Sequence, residues 1–309
     1  MNGILNIYKE AGWTSHDVVA KLRRIVGQKK IGHTGTLDPD AEGVLPVCLG
    51  KATRAADMLT DQTKTYEASL LLGVETDTED AGGKILQERE VRCTAAELSA
   101  CVKSFLGEQM QVPPMYSALK KNGKRLYELA REGKTVEREA RSVHFYEIEL
   151  LEAELPRAKL RVTCSKGTYI RTLCSDIGTK LGCGACMEHL LRVRVGGFSV
   201  RDARTIAQVE ELEQEGRLKE ILQPVDVVFQ EFPAARTVES ADRAAKNGNL
   251  LSEGQFLWED SHDSDRGERL RLYDSAGVFL GLYRQQREKK CIRPVKIFYD
   301  SMDEQMRGA

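Results

Sequence analysis

Apolar residues recur at helical spacing twice in the first third of the chain. Val18, Val19, Leu22, Ile25 and Val26 follow Thr14-Ser15-His16-Asp17, and Leu98, Cys101, Val102 and Phe105 follow Thr94-Ala95-Ala96-Glu97. Each opening places a hydroxyl three positions before a carboxylate, the capping-box spacing, and predicts a helix that begins there. Gly27 suits the stop of the first. Alternation of period two, in Leu160, Val162 and Cys164 and again in Tyr146, Ile148 and Leu150, predicts strands. Helix and strand signals are interspersed without a regular βαβ repeat. That pattern favours an α+β fold with a mixed, mainly antiparallel sheet flanked by helices. An acidic helical stretch over 210–222 leads into Gln223-Pro224 and Phe232-Pro233, which places a domain boundary close to residue 230. Beyond it, short apolar segments at 270–273, 278–283 and 292–299 alternate with glycine and charged turns, the pattern of a small β-rich module.

A chain of 309 residues fits this division into one large and one smaller domain. No apolar run approaches the roughly 20 residues that cross a bilayer, and the first residues lack a basic segment followed by a long apolar one. The expectation is a cytoplasmic protein with no membrane partner. The eight cysteines are spread along the chain, which argues for reduced, mostly buried thiols. The formal charge of −1 hides clusters. Lys21, Arg23, Arg24, Lys29 and Lys30 form one basic group, Lys120, Lys121, Lys124 and Arg125 a second, and Arg284, Arg287, Lys289, Lys290, Arg293 and Lys296 a third. Acidic segments at 210–215 and 259–265 offset them. Each basic run alone reads as a solvated face.

Candidate chemistry concentrates in Gly32-His33-Thr34-Gly35-Thr36-Leu37-Asp38-Pro39-Asp40-Ala41-Glu42-Gly43. Its glycines and proline exclude a regular element, and Pro39 pushes Asp38 toward an extended conformation. A carboxylate in a stiff loop suits a pre-organised nucleophile or base, and it suits a structural Asx turn equally. Two other readings fail. A calcium loop starting at Asp38 would have Leu49 at its twelfth position, and the phosphate-loop-like Gly50-Lys51-Ala52-Thr53 has Leu45 and Ala52 where that motif needs glycine and a hydroxyl. Cys183-Gly184-Ala185-Cys186 with His189 lacks the second pair that a zinc site needs.

The segment from Gly32 to Pro39, continued by Glu42-Gly43-Val44-Leu45-Pro46, resembles the signature of the TruB family of tRNA pseudouridine synthases. The resemblance runs through nearly the whole chain in order. Lys64-Thr65-Tyr66-Glu67 is similar to the family's tyrosine motif, Met115-Tyr116-Ser117-Ala118-Leu119-Lys120 to its RNA-gripping insertion, and Lys166-Gly167-Thr168-Tyr169-Ile170-Arg171-Thr172-Leu173 to its tyrosine-arginine motif. Leu280-Gly281 and Pro294-Val295-Lys296 are similar to the small RNA-binding domain at the end of these enzymes. The chain departs from the pattern where Lys9 is followed by Glu10 in place of proline, and where Leu190-Leu191-Arg192 lacks one of the paired arginines expected there, a loss that would weaken an RNA contact.

The resemblance implies a pseudouridine synthase catalytic domain at 1–230 with an RNA-gripping insertion at about 112–142, and a PUA-like RNA-binding domain at 231–309. It implies isomerisation of uridine 55 in the T-arm loop of tRNA after the base is flipped out. Such a reaction breaks the N1–C1′ bond, turns the uracil and rejoins it through C5. It needs no cofactor and no metal, and no obligatory protein partner is implied. Asp38 would be the essential carboxylate, with Arg171 paired to it and keeping it ionised. Tyr66 would stack on the uracil and its hydroxyl could serve the C5 proton. Tyr169 and Leu190 would line the pocket, Tyr169 sharing a face with Arg171 only if their segment is extended. His33 would occupy space near the flipped nucleotide. Lys120, Lys121, Lys124 and Arg125 would contact RNA phosphates. The alternatives are a non-catalytic RNA-binding or RNA-folding module on the same fold, and a metal-dependent hydrolase built on Asp38, Asp40 and Glu42.

Overall fold

The computed structural model describes residues 1–259 and 268–299. Most of the acidic segment at 259–265 and the last ten residues of the C-terminal module lie outside that range.

Both capping boxes form. Thr14 and Asp17 exchange side-chain and backbone hydrogen bonds at the start of helix Ser15–Ile25, and Thr94 and Glu97 do so before helix Ala95–Lys103. Each exchange satisfies amides that the helix cannot, worth about 1 kcal/mol apiece. Helix Ser15–Ile25 buries Val18, Val19 and Leu22 and is followed by Gly27 at a φ of +64°. The acidic stretch breaks earlier than its pattern predicts. Helix Ile206–Gln214 stops before Gly216, whose φ of +72° interrupts the run, and only a short 3-10 turn, Leu218–Ile221, follows.

A nine-stranded sheet organises the first 200 residues. Its order is Gly3–Lys9, Glu42–Leu49, Ala185–Val195, Lys64–Leu72, Arg157–Cys164, Arg141–Glu154 and Gly107–Gln111, with Ile31–His33 and Phe198–Ser199 added alongside. All pairings are antiparallel except that between Ala185–Val195 and Glu42–Leu49. Helices Ala95–Lys103 and Ile170–Leu181 cover one core, in which Leu70, Leu98, Val102, Leu160, Val162, Leu173 and Ile177 are fully buried or nearly so. Helices Ser15–Ile25 and Ile206–Gln214 cover a second, built on Leu5, Ile7, Leu45 and Val47.

The alternation at Leu160, Val162 and Cys164 points inward as predicted. In the neighbouring strand Ile148 and Leu150, opposite Val162 and Leu160, pack against the same core as predicted, and Tyr146 departs from the pattern. A β-bulge between Phe145 and Glu147 inserts one residue, so Val143 and Phe145 face the core while Tyr146 is 49% exposed.

A separate six-stranded sheet, in the order Leu251–Ser252, Cys291–Ile297, Phe279–Gln286, Arg269–Tyr273, Ala234–Thr237 and Phe256–Trp258, carries the C-terminal module. It is packed against the first unit. Leu282 and Phe298 share a core with Ile4, Val44 and Phe229, and Lys51 Nζ donates to the Tyr299 carbonyl at 2.6 Å. Among the described residues no helix is long and apolar enough to cross a membrane.

Candidate functional site

Residues 34–41 form an irregular loop between strands Ile31–His33 and Glu42–Leu49, and buried groups fix it from several sides. Ser15 Oγ accepts from the Leu37 amide at 2.9 Å, tying the loop to the start of the first helix. Thr34 Oγ donates to the Pro46 carbonyl. Lys9, fully buried, donates through Nζ to the carbonyls of Pro39 at 2.9 Å and Ala41 at 2.6 Å. The Gly12 amide donates to the same Pro39 carbonyl. The Glu10 that replaces the expected proline therefore leaves the lysine's contact with the loop intact. Burial lowers Lys9 to about 8, against the carboxylates of Glu42, Asp38 and Asp40, which favour its charged form.

Arg192 holds the other side. Its Nε donates to Val44 O at 2.7 Å and its Nη2 to Gly35 O at 3.3 Å. The parallel pairing of Arg192 with Gly43 brings it there. Gly43 has a φ of +106°, and a Cβ on it would lie 2.3 Å from the Arg192 carbonyl, so this register requires glycine. Arg192 is 1% exposed, with its described contacts inside the protein.

Asp38 projects from this loop to Arg171, whose Nε stands 3.0 Å from Oδ2. Arg171 is 5% exposed and its other nitrogens are also bonded. Nη1 donates to Thr78 O at 3.0 Å and meets Asp80 Oδ2 at 3.3 Å, and Nη2 donates to Tyr116 O at 2.8 Å. The guanidinium is thus fixed in direction by three segments. The Asp38 side chain remains 44% accessible, yet desolvation by the surrounding protein is the first influence on its carboxyl and raises it above the ordinary carboxylate value. Arg171 and Lys9 pull it down, while Asp80 and Asp40 push it further up. Arg171 thus favours the ionised form of Asp38, while burial raises the carboxyl overall.

Beside the carboxylate lies an inward face of the sheet. Strand Lys64–Leu72 turns Tyr66, Ala68 and Leu70 inward, and Leu190 and Arg192 of the neighbouring strand sit opposite Ala68 and Tyr66. Tyr66 and Leu190 share a core with Leu37 and Ala41 of the loop, so the structure brings both together with Asp38. Tyr169 is the N-cap of helix Ile170–Leu181, with extended φ and ψ of −102° and 112°. Gln111 grips its backbone, accepting from the Tyr169 amide at 2.8 Å and donating to its carbonyl at 3.0 Å. Arg171 lies in the first helical turn, so the extended segment that would align it with Tyr169 is absent. A cap followed by a helix brings both near Asp38 by another route. Burial raises the Tyr169 phenol.

His33 ends strand Ile31–His33 with Nδ1 buried and without a hydrogen-bond partner. Burial, then the charges of Arg192 and His16, lower it, so it is neutral at pH 7.

Lys120, Lys121, Lys124 and Arg125 form a two-stranded hairpin apart from the pocket, all exposed, turned by Asn122 and Gly123 at φ of 52° and 84°. Lys120 faces Arg125 and Lys121 faces Lys124 across it. Like charges in such pairs are unfavourable. Lys124 is relieved by Glu132 at 3.2 Å, and Lys121 by the Glu137 carbonyl. In the first basic group, Lys21 pairs with Glu210 at 2.8 Å and Arg23 caps Ile31 O.

Sequence reasoning missed Lys9, Asp80 and Arg192. Asp80 sits in a Thr-Asp-Thr-Glu-Asp turn that reads as an exposed Asx turn, and a lone charged residue ordinarily reads as surface. Cys183 and Cys186 are buried in the protein, while His189 Nε2 lies 2.9 Å from Glu42 Oε2. Among the described residues no three metal-binding side chains converge.

Comparison with known proteins bears on this geometry. The chain matches the family model of the TruB family pseudouridylate synthase N-terminal domain over residues 23–170 and that of the tRNA pseudouridylate synthase B C-terminal domain over 171–230. It is 48% identical over 306 residues to a tRNA pseudouridine synthase B of Lachnoclostridium phytofermentans, covering 96% of this chain and 100% of that one. A tRNA pseudouridine synthase B of Alkaliphilus oremlandii is 44% identical, with 97% and 99% covered. Among solved structures, a chain of an H/ACA ribonucleoprotein bound to a substrate RNA containing 2′-deoxyuridine superposes with a TM-score of 0.73 at 26% identity, covering 96% of this chain and 85% of that one. A chain of a Cbf5–Nop10–Gar1 complex gives 0.72 at 28%, with the same coverage.

Proposed function

The chain belongs to the TruB family of tRNA pseudouridine synthases, and from that premise we propose that it converts uridine 55 in the T-arm loop of tRNA to pseudouridine. The observation that carries the reading is the Asp38 carboxylate, accessible at its tip, fixed against the Arg171 guanidinium at 3.0 Å and adjoining the inward face of Tyr66 and Leu190. A flipped uridine has a place there with its sugar toward Asp38 and its base against Tyr66 and Leu190. Ionised Asp38 then either attacks the nucleotide or removes a sugar proton to start elimination. Either path detaches N1 from C1′, and the base turns and rejoins through C5. Tyr66 receives the C5 proton. Tyr169 lines the pocket, and neutral His33 fills space beside the loop.

The exposed cations of the hairpin at 120–125 grip phosphates of the T stem. The Arg171 bond to Tyr116 O ties that insertion to the catalytic pair. We assign residues 1–230 to catalysis and 231–309 to a PUA-like module that extends the RNA-binding surface, in a protein working in the cytoplasm without an obligatory protein partner. The test is incubation with an unmodified tRNA transcript followed by position-resolved mapping. Pseudouridine at position 55 is the expected product, and modification elsewhere or nowhere would reject the reading.

A further inference from the structure

Arg192 is a buried cation without an ion-pair partner among the described residues. Its hydrogen bonds to Val44 O, Gly35 O and, at the limiting distance of 3.5 Å, Thr36 O all go to neutral carbonyls, and among the described residues no carboxylate pairs with it. A charge withdrawn from water on such terms is costly. Its neighbourhood adds more positive charge. Burial lowers Lys64 to about 8, and Arg192 pushes it the same way. His33 is lowered by the same two causes, and Arg192 also opposes the charge on Lys9. The carboxylates that reach this interior, Asp38, Asp40 and Glu42, favour the charge on Lys9, and among the described residues none forms an ion pair with Arg192.

The register shows where a partner charge would form. Arg192 is the cross-strand partner of Tyr66, so their side chains leave the sheet on one face. The guanidinium thereby spans from the phenol to the carbonyls of the loop that carries Asp38. We propose that Arg192 is a positioning residue for the reaction, holding the Tyr66 oxygen and the Asp38 loop in one frame and supplying the positive charge against which Tyr66 ionises to take the C5 proton. This rests on the reading of Tyr66 as the base in the reaction proposed above.

The proton balance is complete. After the uracil rejoins through C5, that carbon carries both its hydrogen and the new bond to C1′. The phenolate takes the proton, the C–H electron pair becomes the C5=C6 double bond, and the C6=N1 pair moves to N1, which solvent protonates. Burial is the largest influence on the Tyr66 phenol and pushes it up, and Arg192 opposes it by its charge. The other groups facing the phenol are the Asp38 carboxyl from the loop and the Cys164 thiol from the next strand, and both push it up. Arg192 is the group there that favours the phenolate.

The experiment follows single-turnover pseudouridine formation at saturating tRNA transcript, carrying hydrogen or deuterium at uridine C5, across pH. It compares wild type, Arg192→Lys, Arg192→Met and Tyr66→Phe, with near-ultraviolet circular dichroism and tRNA affinity as controls. Arg192→Met should slow the reaction about 10- to 100-fold, move the rising limb of the pH profile upward and enlarge the C5 isotope effect, since proton removal then limits the rate. Arg192→Lys should recover part of each change, with tRNA affinity held within a few-fold. A slower rate with unchanged limb and isotope effect would mark Arg192 as merely structural and overturn the proposal, as would failure of both variants to fold. Near-wild-type turnover by Tyr66→Phe would reject Tyr66 as base, and the proposal with it, while leaving Asp38 untouched. Absence of product from the wild type would instead reject the functional reading itself.

Discussion

The loop at 34–41 and the hairpin at 120–125 are both short, irregular in their surroundings and rich in functional groups, yet they are built in opposite ways. The loop carries an accessible carboxylate and is tied by Lys9, Ser15, Thr34 and Arg192, all buried or nearly so. The hairpin carries four exposed cations facing one another across a two-residue turn. A group that must meet one atom of a substrate benefits from a frame that allows it little freedom. Groups that meet phosphates need reach and charge, and they tolerate motion. The contrast implies that substitutions in the loop act on rate and those in the hairpin on affinity.

The largest effect expected is that of Asp38→Asn, which keeps the size of the side chain and removes its charge. Single-turnover pseudouridine formation should fall by roughly 10⁴-fold or more, with tRNA affinity within a few-fold. Next comes Arg171→Lys. A lysine keeps the charge but cannot reach Asp38, Asp80, Thr78 O and Tyr116 O together, and the resulting misplacement should cost about 10²-fold in rate without unfolding. Wild-type turnover by that variant would show that the guanidinium fork does not orient the carboxylate. Neutralising Lys120, Lys121 and Lys124 together should weaken tRNA binding and flatten the slope of log K against log salt by about 0.7–0.9 for each phosphate no longer neutralised. An unchanged slope would move the RNA grip elsewhere, most directly to Lys29 and Lys30.

The smallest effect is on stability and sharpens the comparison from the loop's side. Because the folded pKa of Asp38 is raised, its contribution is fully present below its unfolded pKa and lost as pH rises through the folded value. Asp38→Asn should therefore compare more favourably with wild type in thermal melting at neutral pH than at acid pH. A difference in Tm independent of pH would show that burial does not govern this carboxyl. The same upward shift moves the acid limb of the wild-type rate profile up from where an unperturbed aspartate would place it.

How much of this was legible in the sequence follows from which residues obey local rules. The capped helices, the inward strand at 160–164 and the irregular loop around Asp38 were all readable, because capping, alternation and proline act over a few residues. Tyr66 and Leu190 were also placed by motif, and the sheet register brings them together. The bulge that turns Tyr146 outward was not readable, since an extra residue leaves no mark in an apolar pattern. Lys9, Asp80 and Arg192 escaped because each is held by contacts from distant parts of the chain. Arg192 meets Gly35 and Val44 through the one parallel pairing in the nine-stranded sheet, a crossover that composition and spacing do not announce.

The division between the two regions is tested most directly by measuring the single-turnover rate at saturating tRNA, and the tRNA affinity, for Asp38→Asn and for the Lys120, Lys121 and Lys124 triple variant side by side. The predicted result is a crossover, in which the first loses its rate and keeps its affinity while the second loses affinity and keeps its rate. Appreciable turnover by Asp38→Asn, or collapse of the saturated rate in the triple variant with affinity retained, would contradict it.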